Sequence, residues 1–177
     1  MIMKRIAFIV VIIFAVISSC VKIKSKEKRI KVFDYPNLLD LKGIPQQAKD
    51  YNSFCFSDKG SWFGFGLAEN VDTSFIGFSG PFLMNTNNGK WLSKQFVKLE
   101  VLDIKTQEEY VFNKNEITNT YYPGLLEQNS QNQKFNIKQY LWFASSNIAI
   151  NKIKIINKSE YNKEINLNYS ISYFDTL

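Results

Sequence analysis

Along the second half of the chain, apolar residues recur at every second position rather than every third or fourth. From Lys90 to Ile104, Val97, Leu99 and Val101 fall on one face and Lys98 and Glu100 on the other, the pattern of a half-buried strand. A turn at Lys105-Thr106-Gln107 leads into Glu109 to Phe112, where Tyr110 and Phe112 face one way, so the two segments predict a β-hairpin. Lys134 to Phe143 alternates again. Phe135, Ile137, Leu141 and Phe143 line one side and Lys138, Tyr140 and Trp142 the other, and apolar residues on both sides predict a central strand between two layers. After a turn at Ser145-Ser146-Asn147, Ile148 to Ile156 predicts a further strand. Beyond the loop from Asn157 to Glu160, Ile165, Leu167, Tyr169, Ile171 and Tyr173 line one face of the last. No helix longer than two turns is expected. Short strands at hairpin spacing, rich in aromatic and β-branched residues, predict an all-β fold, an antiparallel β-sandwich. The sequence reaches Asp175-Thr176-Leu177 directly after a strand, which predicts an open sheet edge and a sandwich truncated at its C-terminal end.

The stretch from Phe54 to Trp91 has a different texture, with glycines, phenylalanines and two tryptophans interleaved. Aromatics separated by glycines predict short strands with tight corners. Ser61 to Leu67 sets Trp62, Gly64 and Gly66 on one side and Phe63, Phe65 and Leu67 on the other. The glycine-lined side leaves room for another backbone or a flat ligand, while a crowded sandwich core is the structural alternative.

Charge and targeting signals set the front of the chain apart. Lys4 and Arg5 precede an apolar run from Ile6 to Val16, and Ile17-Ser18-Ser19-Cys20 follows as a small-residue cleavage site ending in cysteine. The run is too short for a membrane span of ~20 residues. Its end resembles the lipobox of bacterial lipoproteins, in which the cysteine is lipidated and becomes the mature N-terminus. That resemblance implies a signal peptide over 1–19, lipidation (palmitate) at Cys20 and a location in the cell envelope. The body would be lipid-anchored to a bacterial membrane, on the outer membrane or the periplasmic face in a Gram-negative cell. Lys22, Lys24, Lys26, Lys28, Arg29 and Lys31 then crowd a linker over 20–32, opposed only by Glu27. A basic stretch beside a lipid anchor lies against anionic headgroups, each charge contributing about 1 kcal/mol near the surface. The formal net charge of +6 is therefore read as a tether and not as a nucleic-acid interface, for which no recognition motif follows.

The remaining body, 33–177, has the size and composition of one domain, the whole chain being 45% hydrophobic and 21% charged. With Cys20 taken up by lipid, Cys55 is the remaining thiol, so neither a disulfide framework nor a cysteine metal cluster is expected. Histidine is absent, which excludes Ser-His-Asp and Cys-His catalysis and HExxH zinc sites; no cofactor is expected. Acid–base work is left to carboxylates. Asp58, Glu69 and Asp72 flank the aromatic stretch and Glu127 follows the Pro123-Gly124 turn. A pair of them would hydrolyse a glycosidic bond only if held ~5 to 9.5 Å apart with one pKa raised. As surface turn residues they need no such role.

Phe56-Ser57-Asp58-Lys59-Gly60-Ser61-Trp62-Phe63-Gly64-Phe65-Gly66-Leu67, followed by Gly77-Phe78-Ser79-Gly80-Pro81 and then Trp91, resembles the N-terminal β-sandwich, of the super-sandwich type, of bacterial glycoside hydrolase family 63-like enzymes. These are glucosidase relatives of glycogen-debranching enzymes. The later run Ile153-Lys154-Ile155-Ile156-Asn157-Lys158-Ser159 also looks like that module. The resemblance implies a lipid-anchored, non-catalytic module of an exported α-glycosidase acting on oligosaccharides. The family's catalytic carboxylates belong to a following (α/α)6 barrel, so no catalytic residue carries over. Trp62, Phe63 and Trp91 become the candidate sugar contacts, since an aromatic face suits the apolar face of a pyranose ring; such rings are more often core. Phe63 stands where relatives commonly carry histidine. The alternatives are a stand-alone surface glycan-binding lipoprotein and a structural lipoprotein without a small ligand.

Overall fold

A computed structural model describes residues 31–41, 43–68, 76–84 and 88–175. The leader, Cys20 and most of the basic linker lie outside the described residues, as do Glu69 and Asp72. Nine strands follow one another: β1 (Phe63–Gly66), β2 (Ser79–Leu83), β3 (Lys90–Trp91), β4 (Ser93–Asp103), β5 (Ile117–Tyr122), β6 (Leu125–Gln131), β7 (Phe135–Ser145), β8 (Ile148–Asn157) and β9 (Ile165–Tyr173). Among the described residues the only helical elements are single 3-10 turns at Val32–Asp34 and Lys114–Glu116. All strand pairings are antiparallel.

The fold is a β-sandwich. One layer is the sheet β5-β6-β7-β8, and the other consists of the sheets β1-β2-β3 and β4-β9. These two are stitched where Phe78 bridges Phe96 and where the Leu99 N–H donates to the Ile76 carbonyl at 2.8 Å. Each part of the divided layer covers its own cluster of the shared sheet. Phe56, Phe65, Leu67 and Phe78 meet Tyr121, Leu126, Leu141 and Phe143 in the first. In the second, Ile76, Leu99, Val101, Tyr110 and Phe112 meet Ile117, Phe135 and Ile137, with Ile153, Ile155, Ile165 and Leu167 at its margin.

Between the two clusters runs a polar rung. Asn119 pairs with Gln128 and Gln128 with Gln139 across β5, β6 and β7, and all three are buried. Buried amides require hydrogen-bond partners. The Gly77 N–H donates to Gln128 Oε1 at 2.6 Å, and Asn151 Nδ2 reaches Gln139 Oε1 at 3.4 Å.

The structure departs from the sequence expectation on β4 in two ways. The expected hairpin is short, a Leu102–Glu109 bridge flanked by hydrogen bonds from the Tyr110 N–H to the Val101 carbonyl at 2.8 Å and from the Asp103 N–H to the Glu108 carbonyl at 2.9 Å, and the long partner of β4 is β9, from Asp103 opposite Ile165 to Ser93 opposite Tyr173. Val97 also leaves the face it was expected to share with Leu99 and Val101. The register slips between Gln95 and Lys98, and Val97 takes φ +54°, a strained conformation for a β-branched residue.

The turn after β4 is held by Asp103, a buried carboxylate. It accepts the Tyr110 hydroxyl, the N–H groups of Lys105 and Thr106 at 2.9 and 3.3 Å, and Lys163 Nζ at 3.4 Å. The Tyr110 hydrogen bond, helped by those backbone N–H groups and by Lys163, overrides the effect of burial and holds its pKa well below the usual carboxylate range. A carboxylate with a depressed folded-state pKa contributes stability that is fully present above its unfolded value, ~3.9, and lost as pH falls through the lower folded value. Asp103→Asn should therefore lower the melting temperature at neutral pH, and should lose less of it than the wild type does between about pH 5 and pH 2. Parallel melting curves for the two proteins over that range would contradict this assignment.

Candidate functional site

The glycine and aromatic stretch folds as a hairpin. Phe56 and Phe65 exchange backbone hydrogen bonds of 2.7 and 2.9 Å, and Asp58 to Ser61 turns the chain with Lys59 and Gly60 at positive φ. Asp58 Oδ1 accepts the Lys59 N–H at 2.7 Å, which makes this carboxylate part of the turn. Ser61 Oγ both donates to the Phe63 carbonyl at 3.0 Å and accepts its N–H at 3.2 Å.

The glycine-lined side of β1 is filled by the chain itself. A Cβ on Gly64 would sit 2.8 Å from the Phe56 carbonyl and 3.0 Å from Cys55 Sγ, and one on Gly66 would sit 3.2 Å from the Gly43 carbonyl and 3.3 Å from the Trp91 ring. The flat group that this side admits is thus the protein's own indole. Trp91 is 0% exposed, its Nε1 donates to the Asp50 carbonyl at 2.8 Å, and its ring tilts against Phe82 at 5.2 Å. Trp62, by contrast, is 72% exposed. Phe63 is half-buried, 5.9 Å from Phe65 and 5.3 Å from Phe143. The three candidate sugar contacts therefore do not share one open face. Trp91 is core because the missing Cβ of Gly66 draws its ring in, a long-range fit that residue type alone does not reveal.

The carboxylates do not converge either. Glu127 lies on β6 and pairs with Lys138 at 3.6 Å. Near the second cluster a shallow polar depression is lined in part by Glu109, Glu116 and Lys134, but Glu109 is exposed and Glu116 accepts the Asn113 N–H at 2.7 Å. Neither is buried, so neither stands in a water-excluded pocket. Burial pushes the Cys55 thiol up, away from the thiolate a nucleophile needs. Among the described residues no group of histidine, cysteine and carboxylate side chains is placed to hold a metal.

A cleft of about 460 Å³ opens beside the first cluster, between β1 with the bulge of β4 and the start of β8. Phe63, Phe65, Phe96, Val97, Ile148 and Asn151 are among its walls. Of these, sequence reasoning had singled out Phe63 alone. The strained Val97 carries no signal in the sequence, because the bulge that creates it depends on pairing with β9.

The family model described as glucosidase YgjK, N-terminal, matches residues 40–174. The chain belongs to this family. No curated protein matches it. The match takes in all nine strands and both clusters, so the whole sandwich is a YgjK-type N-terminal module. Within such a module the aromatic motif is a packing device that closes β1 onto Trp91 and the 43–56 segment. Trp91→Ala should therefore cost about 3 to 5 kcal/mol of unfolding free energy. Trp62→Ala, at the exposed end of the same motif, should change it by less than about 0.5 kcal/mol. Denaturant melts of the two variants decide the point, and equal losses would mean that the motif is not organised around Trp91.

Proposed function

We propose that this chain is the non-catalytic N-terminal sandwich of an exported α-glucosidase, tethered to a bacterial cell envelope through lipid on Cys20 and working beside a separate (α/α)6 catalytic domain that acts on oligosaccharides. The observation that carries the reading is the uncovered half of β9. Tyr169 lies opposite Leu99 in the β4–β9 ladder and on the same face as Leu167, which packs on the second cluster. Yet Tyr169 and Tyr173 are 54% and 61% exposed, and Ile171 between them is exposed as well. The core-facing row of the strand runs out of the sandwich into solvent.

β9 is also an edge strand, paired to β4 alone. From Ile165 to Tyr173 it carries no charge and no proline, the devices by which free-standing proteins blunt such an edge. A strand of this kind suits a permanent neighbour. The lipobox resemblance and the basic stretch after Cys20 support the tether, and the family's division of labour supports the catalytic domain as the neighbour.

The purified chain should release no glucose from α-glucosides; lacking its neighbour, it should self-associate through the open β9 edge in sedimentation velocity, and Tyr169→Lys combined with Ile171→Lys should suppress that association. Hydrolysis that disappears in Asp58→Asn or Glu127→Gln would overturn the proposal. Metabolic labelling with a fatty acid, expected in the wild type and absent in Cys20→Ala, tests the tether separately.

A further inference from the structure

The shared sheet has a second face, turned away from both clusters. Three ranks cross it. Tyr122 stands opposite Leu125, and Trp142 opposite Ile150. Beside them run Thr120, Glu127, Tyr140 and Lys152, each opposite the next, and then Thr118, Asn129, Lys138 and Lys154. Tyr122, Tyr140 and Trp142 are half-buried, and the Phe33 ring packs edge-on against Tyr122 with centroids 5.0 Å apart. The carboxylate of Glu127 is set among them, its side chain 12% exposed and 3.6 Å from Lys138 Nζ.

We propose that Tyr140 and Trp142, flanked by Tyr122 and by the Glu127–Lys138 pair, form a binding platform for a neutral oligosaccharide. Tyr140 and Trp142 are two residues apart on one strand, so their Cα atoms are offset by about 6.8 Å along a rigid sheet, the scale of neighbouring sugar rings. Aromatic faces accept the apolar faces of pyranoses, while the carboxylate, the ammonium group and the tyrosine hydroxyls offer acceptors and donors to the ring hydroxyls. Burial and the neighbouring Glu127 charge push the Tyr122 hydroxyl up, which keeps it a neutral donor.

Two features separate this face from an ordinary solvated one. Lys138 stands directly opposite Lys154, a like-charge pairing that weakens a sheet. The ion pair draws Lys138 towards Glu127, among the aromatic groups. A membrane contact fits less well, because half-buried rings do not insert between lipids, and Glu127 offsets part of the charge that Lys138, Lys152 and Lys154 would offer to anionic headgroups. The platform is distinct from the β9 edge and from hydrolysis, so it stands or falls separately from the catalytic partnership.

The test is affinity electrophoresis of the full chain in gels containing soluble starch, with maltoheptaose titrations followed by tryptophan fluorescence, and sedimentation with phosphatidylcholine–phosphatidylglycerol vesicles as the opposing arm. The wild type should be retarded, Trp142→Ala should weaken binding by about tenfold or more, and Trp62→Ala should leave it unchanged. Glu127→Gln, which keeps the shape of the side chain, should weaken binding without lowering the melting temperature appreciably, and so covers the case in which Trp142→Ala does not fold. Absence of retardation, a loss that follows Trp62 instead of Trp142, or vesicle binding that depends on Trp142 would each overturn the proposal.

Discussion

One strand carries both halves of this protein. β7 places Phe135 and Ile137 in one cluster and Leu141 and Phe143 in the other, with Gln139 buried between them. Side chains alternate strictly with the pleat, so a shift of one residue in the pairing of β7 would turn both apolar groups outward and bring Trp142, Tyr140 and Lys138 inside. The pairings on either side hold that register, Leu141 to Leu126 on β6 and Ile137 to Ile155 on β8. The divided second layer depends on this strand, because its two sheets are held to each other by a few bonds only, at the stitch near Phe78 and Ile76 and where Ser93 Oγ donates to the Gly80 carbonyl and the Leu92 N–H to the Pro81 carbonyl.

The polar rung explains how two cores coexist on one sheet. An unbroken apolar row would let the layers slide, whereas Gln128 must meet the Gly77 N–H and so fixes where the linking segment before β2 crosses the sheet. That crossing aligns β2 with β1, where Gly66 admits the Trp91 ring. The aromatic motif that looks like a binding site is thus the far end of a packing chain that begins at β7. The outer face of the shared sheet and the exposed run of β9 lie away from this packing chain, and the proposed sugar and partner contacts would fall there.

Much of this was legible in the sequence because alternation is a local signal. The strands over Phe135–Ser145, Ile148–Asn157 and Ile165–Tyr173, and the absence of long helices among the described residues, follow from period two alone. The partner of β4 was not legible, since Leu99 and Val101 are matched to Tyr169 and Leu167, far along the chain, while the nearer Tyr110 and Phe112 offered an equally apolar hairpin. Nor could Trp62 be told from Trp91. Both are tryptophans beside glycine-rich turns, and it is the approach of Gly66, Phe82 and the Asp50 carbonyl to one of them that makes it core. Period two places Tyr140 and Trp142 on the same face of β7 as Lys138, but nothing local shows that Glu127 stands beside Tyr140 across the β6–β7 ladder.

The most direct test of a single sheet serving two cores is native-state hydrogen exchange along β7. Cooperative units exchange with a common opening free energy, and the most protected report global unfolding. The amides flanking Ile137 and those flanking Leu141 should share one opening free energy, equal to that of global unfolding. A markedly lower value at either end would mean that the two clusters open independently, and that β7 does not unite them.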